Sequence, residues 1–169
     1  FQPAEETLQG APVIIKAGVI DDVDYALGAH IRPIQDVPAG MLCAAVRHTA
    51  STTLNIVIKG RGAHASRPHL GINAIEAAAL FIVHAKKRLP ELLAGNAAAG
   101  PASSSIDLVS GGAAENVVPA SASVTIDFRY QGVESAQVQC DRIEKILCEV
   151  RTDPDFPPVS TSLTVTGDW

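Results

Sequence analysis

The sequence predicts an α+β protein built around one antiparallel sheet, and two patterns carry that prediction. Segments that alternate apolar and polar residues are typical of half-buried strands, whereas apolar residues at steps of three and four are typical of helices. From residue 53 onward, these segments follow the order β-α-β-β-α-β. That order predicts a ferredoxin-like split βαβ arrangement, with two helices on one face of the sheet.

Composition excludes two classes of partner. The chain of 169 residues is 47% apolar with 4% aromatics, so its core is expected to be aliphatic. Its formal net charge is −5, so the sequence does not indicate the basic surface that nucleic-acid binding requires. No apolar run approaches the roughly 20 residues of a membrane span. We therefore expect no nucleic-acid partner and no membrane segment.

Cysteine usage indicates a reducing compartment. Cys43, Cys140 and Cys148 form no Cys-x-x-Cys pair and no zinc-knuckle spacing, so all three are predicted to be small packing residues. The sequence shows no signal-peptide pattern. A cytoplasmic location is the expectation that follows.

Residues 1–50 are predicted to form a fragment of an α/β domain that cannot bury a core alone. A short helix is expected at Ala11–Ala17, closed by Gly18 as its C-terminal cap. Val23–Ala29 is expected to be a buried strand that presents His30 at its end, and Met41–Val46 to be a second strand.

Residues 51–169 are predicted to form a complete domain, which starts with a strand around Leu54–Ile58. Asn73 and Glu76 have capping-box spacing at the start of a helix. Lys86–Arg88 are expected in its last turn as a solvated helix end, followed by a loop over Leu92–Ser103. The apolar face of this helix is predicted to comprise Ile75, Ala78, Ile82, Ala85 and Leu89.

The second half of this domain has the clearest strand. Ala122–Tyr130 alternates strictly, while Ser104–Ser110 is expected to direct Ile106 and Leu108 inward. A helix is predicted over residues 134–151 and a final strand over Val159–Val165. The core stripe of that helix is expected to comprise Ala136, Cys140, Ile143, Leu147 and Val150.

Two adjacent carboxylates, Glu5 and Glu6, and the distant His30 are residue types that a metal hydrolase needs. One carboxylate can hold a divalent ion while its neighbour takes a proton from water, because consecutive side chains point in different directions. Two acids after Pro3 also suit the first turn of an ordinary helix, and a single His is often structural. The residues alone leave these alternatives open.

Three polar residues of the second domain are further candidates. His64 lies in a glycine-rich loop, Asn116 precedes a strand, and Arg129 lies on the polar side of its strand beside Asp127. The plain alternatives are an exposed loop histidine, a turn asparagine and a surface arginine paired with Asp127.

Several segments of the chain resemble the amidohydrolase branch of the M20 metallopeptidase family, which includes aminoacylases, hippurate hydrolases and auxin-conjugate hydrolases. The segments that carry the resemblance are Phe1–Glu6, Gly10-Ala11, Gly18–Asp21, Gly28–Pro33, Gly60–His69 and Glu115–Pro119. The resemblance implies that residues 1–50 come from a metal-binding catalytic domain. It also implies that residues 51–169 are the dimerisation, or lid, domain that this family carries as an insertion.

Roles for individual residues follow from the resemblance. Glu5 would be the general base, and Glu6 and His30 would be ligands of a site for two divalent ions, zinc, manganese or cobalt. His64 would cross a homodimer interface and polarise the scissile carbonyl of an N-acyl amino acid or peptide substrate. Asn116 would bind the substrate near that carbonyl or near its carboxylate, and Arg129 would hold its terminal carboxylate.

The chain departs from the family pattern in one respect. The upstream metal-binding segment and a late histidine ligand of the family have no counterpart in these 169 residues. A catalytic zinc site needs about three protein ligands plus water. We therefore expect a fragment of a longer protein that binds no metal and is inactive alone. The alternatives are a non-catalytic, self-associating α+β module and a small-ligand regulatory domain.

Overall fold

The computed structural model describes residues 3–4, 9–31, 34–43, 49–94, 102–131 and 134–168. The chain separates into two compact units, Phe1–Val46 and Arg47–Trp169. Within the described part of the chain, no helix is both long and apolar enough to cross a membrane.

The described residues of the first unit contain one short helix, α1 (Gly10–Lys16). It ends where predicted, because Gly18 adopts a left-handed φ of +70° and donates its N–H to the carbonyl of Ile15 at 3.0 Å. The helix predicted at Ala11–Ala17 is thus confirmed.

The described residues of the first unit do not form the strands predicted there. Val23–Ala29 is irregular, and its apolar side chains are exposed: Tyr25 by 94% and Leu27 by 102%. Met41–Cys43 forms no strand either, and residues 44–46 lie outside the described residues. A strand needs a neighbour to pair its backbone groups, and the described residues of this unit supply none.

The second unit is an α/β structure with an antiparallel sheet. Its described strands and α-helices are β1 (Ala50–Lys59), β2 (Ala63–His64), α2 (Ala74–Ala94), β3 (Ser103–Gly111), β4 (Val117–Val118), β5 (Ser121–Tyr130), α3 (Ala136–Val150) and β6 (Ser160–Asp168). A turn of 3-10 helix at Pro68–Leu70 lies between β2 and α2. Four strands form one sheet in the order β3-β5-β1-β6, with every neighbouring pair antiparallel. β2 and β4 form a separate two-stranded ribbon.

One face of the sheet is buried beneath the two helices, and the other is lined with hydroxyl groups. The predicted alternation is confirmed, because Leu54, Ile56 and Ile58 of β1 are fully buried while the residues between them are not. Phe81 of α2 and Ile143 of α3 close this core. Burying each such side chain contributes about 1.5–3 kcal/mol.

Helix α2 begins as predicted and ends later. Asn73 Oδ1 accepts the N–H groups of Ile75 at 3.0 Å and Glu76 at 3.4 Å, and Asn73 Nδ2 donates to Glu76 Oε1 at 2.9 Å. The helix continues through Pro90 to Ala94, so the loop prediction is wrong for residues 92–94. Lys86–Arg88 therefore do not occupy its last turn.

The predicted core stripes need correction. Ile75 is 41% exposed, and the buried residues of α2 are Ala74, Ala77, Ala78, Phe81, Ala85, Leu89 and Leu93. Leu108 is 67% exposed rather than inward, because an irregularity in β3 pairs Ile106 with Ile126 but Leu108 with Thr125. One extra residue in a strand moves the following side chains to the opposite face.

A polar seam joins α2 to the end of α3. Arg88 donates Nε and Nη2 to the two carboxylate oxygens of Glu149 at 2.7 and 2.9 Å. This hydrogen bonding lowers the pKa of Glu149. The pKa of Asp153 is also lowered, first by the backbone N–H of Asp155 and then by His84, whose Nε2 lies 3.2 Å from Asp153 Oδ2. Arg88 is thus an inter-helix contact and not a solvated helix end.

Two of the three cysteines are not packing residues. Cys43 and Cys148 are exposed, and only Cys140 is partly buried against the core. Burial raises the pKa of the Cys140 thiol.

Candidate functional site

The ribbon of β2 and β4 brings two predicted site residues together. His64 pairs with Val117, and the N–H of Ala65 donates to the carbonyl oxygen of Asn116 at 2.9 Å. His64 and Asn116 are 52 positions apart in the sequence, where each was assigned to its own loop. In the structure they are neighbours, and both are exposed.

A close backbone approach holds this ribbon in place. Arg61 and Ile72 exchange backbone hydrogen bonds of 2.9 and 2.8 Å just before β2. A Cβ on Gly60 would lie 2.1 Å from the carbonyl oxygen of Ile72, so only glycine fits there. The buried side chain of Val118 anchors the other strand.

The hydrogen bonds of His64 define its tautomer. The backbone N–H of Ser66 donates to His64 Nδ1 at 3.1 Å, and the Ser66 hydroxyl lies 2.8 Å from the same atom. Since a backbone N–H can only donate, Nδ1 is the acceptor and the neutral ring carries its proton on Nε2. The sequence interpretation did not identify Ser66, although its position two residues after His64 is typical of such a local bond.

Arg129 lies on the open face of the sheet and forms an ion pair with Asp127. Its Nε donates to Asp127 Oδ1 at 2.6 Å and its Nη2 to Asp127 Oδ2 at 3.2 Å. This contact matches the alternative of a paired surface arginine. The same contact leaves room for a ligand, because the Arg129 side chain remains 55% exposed.

Arg129 and His64 lie at opposite ends of the β1–β5 pair. His64 follows Lys59, which pairs with Ser121 at the start of β5, whereas Arg129 pairs with Ser51 at the other end. Eight steps of extended chain from Ser121 to Arg129 cover about 25 Å. One small substrate therefore does not reach both side chains along the strands of a single chain.

The predicted metal site is described only at His30. Its Nδ1 lies 2.7 Å from the carbonyl oxygen of Ile31, so Nδ1 carries the proton and the lone pair of the neutral ring is on Nε2. This tautomer fits metal ligation, in which the second ring nitrogen donates to an oxygen. Glu5 and Glu6 lie outside the described residues. Within the described ranges, no three His, Cys, Asp or Glu residues are grouped to hold a metal ion.

A cavity of about 540 Å³ lies beside the ribbon, with Arg61, Asn73, Glu76 and Pro157 among its lining residues. Of the described site candidates in the second unit, His64, Asn116 and Arg129, none lines it. The exposed tip of the ribbon, rather than this cavity, carries His64 and Asn116.

Known proteins show what the chain is similar to. Residues 46–151 match the model of a peptidase dimerisation domain, M20_dimer. The chain is 32% identical over 149 residues to indole-3-acetyl-aspartic acid hydrolase of Enterobacter agglomerans, covering 87% of this chain and 32% of that protein. It is 32% identical over 151 residues to hippurate hydrolase of Campylobacter jejuni, covering 86% of this chain and 38% of that protein.

The fold also resembles a solved structure. The crystal structure of aminobenzoyl-glutamate utilization protein from Klebsiella pneumoniae aligns with a TM-score of 0.61 and 28% identity. The alignment covers 99% of this chain and 40% of that protein. The chain spans about a third of the length of the curated relatives it matches.

Proposed function

The chain belongs to the amidohydrolase branch of the M20 peptidase family, and from that premise we propose that its full-length protein is a metal-dependent amidohydrolase. The proposed reaction is hydrolysis of the amide bond of an N-acyl amino acid or a small peptide. Residues 51–169 would be its dimerisation, or lid, domain, with the ferredoxin-like topology that the strand order β3-β5-β1-β6 supports. Residues 1–50 would belong to its catalytic domain, and the protein would work in the cytoplasm.

The observation that carries this proposal is the position of His64 beside Asn116 at the tip of the ribbon. With Nδ1 occupied by Ser66, the ring offers Nε2–H as a donor, and Nε2 has no partner among the described residues. A neutral donor of this kind suits a carbonyl oxygen that gains negative charge during amide hydrolysis. Asn116, whose carbonyl oxygen accepts the N–H of Ala65 beside His64, would donate its side-chain amide to the same substrate.

Residues of the first unit would supply the hydrolytic chemistry. Glu6 and His30 would hold a divalent ion, and the His30 tautomer fits that role. Such an ion, when bound, lowers the pKa of water and thus supplies a nucleophile at neutral pH. Glu5 would accept the proton of that water and return it to the leaving nitrogen. Arg129 would bind the substrate carboxylate through its guanidinium.

The separation of His64 from Arg129 supports a homodimer. If both side chains contact one substrate, they come from two copies of the chain. The edge strand β3 and the outer side of α2 suit such a contact. They expose Ile75, Val83 and Val109 by 41%, 49% and 63%, and β3 pairs on one side only within the described residues.

A substitution at His64 tests the proposal in the full-length protein. His64→Ala is expected to lower kcat for hippurate about 10²- to 10³-fold, the usual cost of losing one oxyanion donor. His69→Ala is the matched control, because His69 is an exposed histidine of the same segment without a proposed role. Equal activity of the two variants would exclude the proposed role of His64.

Mixing of two inactive variants tests whether His64 acts on the partner protomer. His64→Ala and Glu5→Gln proteins are dissociated, mixed and reassociated. If His64 acts across the interface, each mixed dimer regains one intact site, and random pairing restores about a quarter of wild-type activity. If His64 acts within its own chain, no activity returns.

The second candidate is a non-catalytic, self-associating module, which the described residues also accommodate. Glu5→Gln in the full-length protein separates the two. The enzyme would lose activity while its folding and metal content persist. A module without chemistry would show no change in any of the three, and wild-type protein would not hydrolyse N-acyl amino acids.

A further inference from the structure

Asp127 contacts the residue proposed to bind the substrate carboxylate. We infer that Asp127 is a positioning residue, which holds the Nε edge of the Arg129 guanidinium and directs its Nη1–Nη2 edge to the substrate carboxylate. This inference rests on the proposed function of Arg129. It assigns Asp127 to substrate binding through Arg129.

The geometry of the pair is a side-on fork. Arg129 Nε and Nη2 donate to the two different oxygens of Asp127, at 2.6 and 3.2 Å. A guanidinium has five N–H donors, and this contact uses two of them. The remaining three comprise both hydrogens of Nη1 and one of Nη2. One hydrogen of Nη1 and the remaining hydrogen of Nη2 form a second edge, which can bind another carboxylate with two parallel hydrogen bonds.

Asp127 is the fixed member of the pair. Its side chain is 18% exposed, compared with 55% for Arg129. The hydroxyl of Ser51 donates to Asp127 Oδ2 at 3.3 Å, and that of Thr53 lies 3.5 Å from the same atom. Both hydroxyls come from β1, which pairs with β5 along its whole length. The carboxylate is therefore tethered to the sheet, while the guanidinium projects into solvent.

This arrangement has two consequences for recognition. An arginine that is already held loses less side-chain entropy when the ligand binds, so its affinity for that ligand is higher. The exposed edge of the guanidinium carries donors only, and a carboxylate offers two acceptors where a carboxamide offers one acceptor and one donor. We therefore expect selection for substrates that end in a carboxylate.

The opposite role for Asp127 is also physically reasonable and gives the opposite result. Asp127 would then occupy the guanidinium as an internal competitor, and the substrate carboxylate would have to displace it. Removing its charge would strengthen binding in that case, whereas removing a positioning residue weakens it. The sign of the change in KM therefore decides between the two roles.

The kinetic experiment uses the full-length protein with hippurate and its neutral amide, N-benzoylglycinamide. Asp127→Asn keeps the size of the side chain and removes its charge. We expect KM for hippurate to rise about tenfold, with kcat within about twofold of wild type and KM for the amide unchanged. Asp107→Asn is the control, because Asp107 is an exposed acid on β3 outside the site. An unchanged or lower KM for hippurate in Asp127→Asn would overturn the inference.

Arg129→Lys separates failure of this inference from failure of the proposed function. If Arg129→Lys raises KM for hippurate but Asp127→Asn does not, only the positioning role of Asp127 is wrong. If Arg129→Lys leaves KM unchanged, the carboxylate role of Arg129 is wrong, and the inference about Asp127 is overturned together with it.

Nuclear magnetic resonance of the arginine side chains gives a readout that does not depend on activity. The Nε–H of Arg129 is expected to exchange slowly with water in the wild type and quickly in Asp127→Asn. Adding benzoate is expected to shift the Nη resonances of wild-type Arg129 while the slow Nε–H persists. A rapidly exchanging Nε–H in the wild type, or its release by benzoate, would overturn the inference.

Discussion

The two units of the chain differ in the burial of their apolar residues. In the second unit, Phe81 and Ile126 are fully buried between helices and sheet. In the first unit, Leu27 and Leu42 are exposed by 102% and 100%. An apolar sequence therefore does not by itself make a core. The second unit has strands that pair and helices that cover them, while the described residues of the first unit have one helix of seven residues.

The largest effect is expected from a matched pair of core and surface truncations in the 169-residue chain. Phe81→Ala removes a buried ring, and we expect the free energy of unfolding to fall by about 3–5 kcal/mol. Leu27→Ala in the first unit is expected to change it by less than about 0.5 kcal/mol. Urea denaturation followed by circular dichroism measures both. Similar losses in the two variants would show that the first unit contributes a core of its own.

Two glycines offer a second comparison between the units. Gly60→Ala places a Cβ 2.1 Å from the carbonyl oxygen of Ile72, whereas Gly28→Ala meets nothing within 4 Å. We expect Gly60→Ala to destabilise the chain by about 1–3 kcal/mol, as overpacking does. Gly28→Ala is expected to be neutral or slightly stabilising, because it restricts the unfolded chain. Thermal unfolding of the two variants gives the comparison, and a harmless Gly60→Ala would contradict the described approach of these segments.

The two units also differ in how the N-termini of their helices are capped. Asn73 caps α2 with two accepted N–H groups, while Gln9 makes no side-chain cap to α1. Asn73→Ala is therefore expected to cost about 1 kcal/mol of stability. Gln9→Ala is expected to leave the urea concentration at the midpoint of unfolding unchanged. A shift of the midpoint in Gln9→Ala that equals the shift in Asn73→Ala would remove this distinction.

The smallest expected effect is on the pH dependence of stability, and it arises from residues of the second unit. The pKa values of Glu149 and Asp153 are lowered in the folded chain, so the unfolded chain takes up protons at a higher pH. Their contribution to stability is complete above the ordinary carboxyl range, near about pH 4, and is lost as the pH falls through the lowered values. Glu149→Gln should make stability less dependent on pH between about pH 5 and pH 3. An unchanged pH dependence would show that the seam of Arg88 and Glu149 adds nothing to folding.

Local patterns predicted the elements that depend on local forces. The alternation of Ala122–Tyr130 predicted which side chains of β5 are buried, because a strand turns successive residues to opposite faces. The spacing of Asn73 and Glu76 predicted the start of α2 for a similar reason, since a capping box is complete within four residues.

Long-range pairing accounts for what the sequence did not predict. The ribbon that joins His64 to Asn116 depends on two segments about 50 positions apart, and neither has a periodic pattern of its own. The displacement of Leu108 depends on one irregular pair between β3 and β5. Val23–Ala29 has the composition of a strand, but no described partner completes it. The proposed roles of the site residues rest on the family rather than on patterns of this kind.

β1 and β6 are the first and last strands of the second unit in sequence, and they are neighbours in the sheet. This adjacency has a practical consequence for protein engineering. Thr52 of β1 pairs with Asp168 of β6, and the Thr52 hydroxyl donates to the Asp168 carboxylate at 2.9 Å. Neighbouring strands lie about 5 Å apart, so a linker of a few residues could join these two positions. The sheet and its helices could then be circularly permuted, with new ends opened at the exposed turn around Asp155.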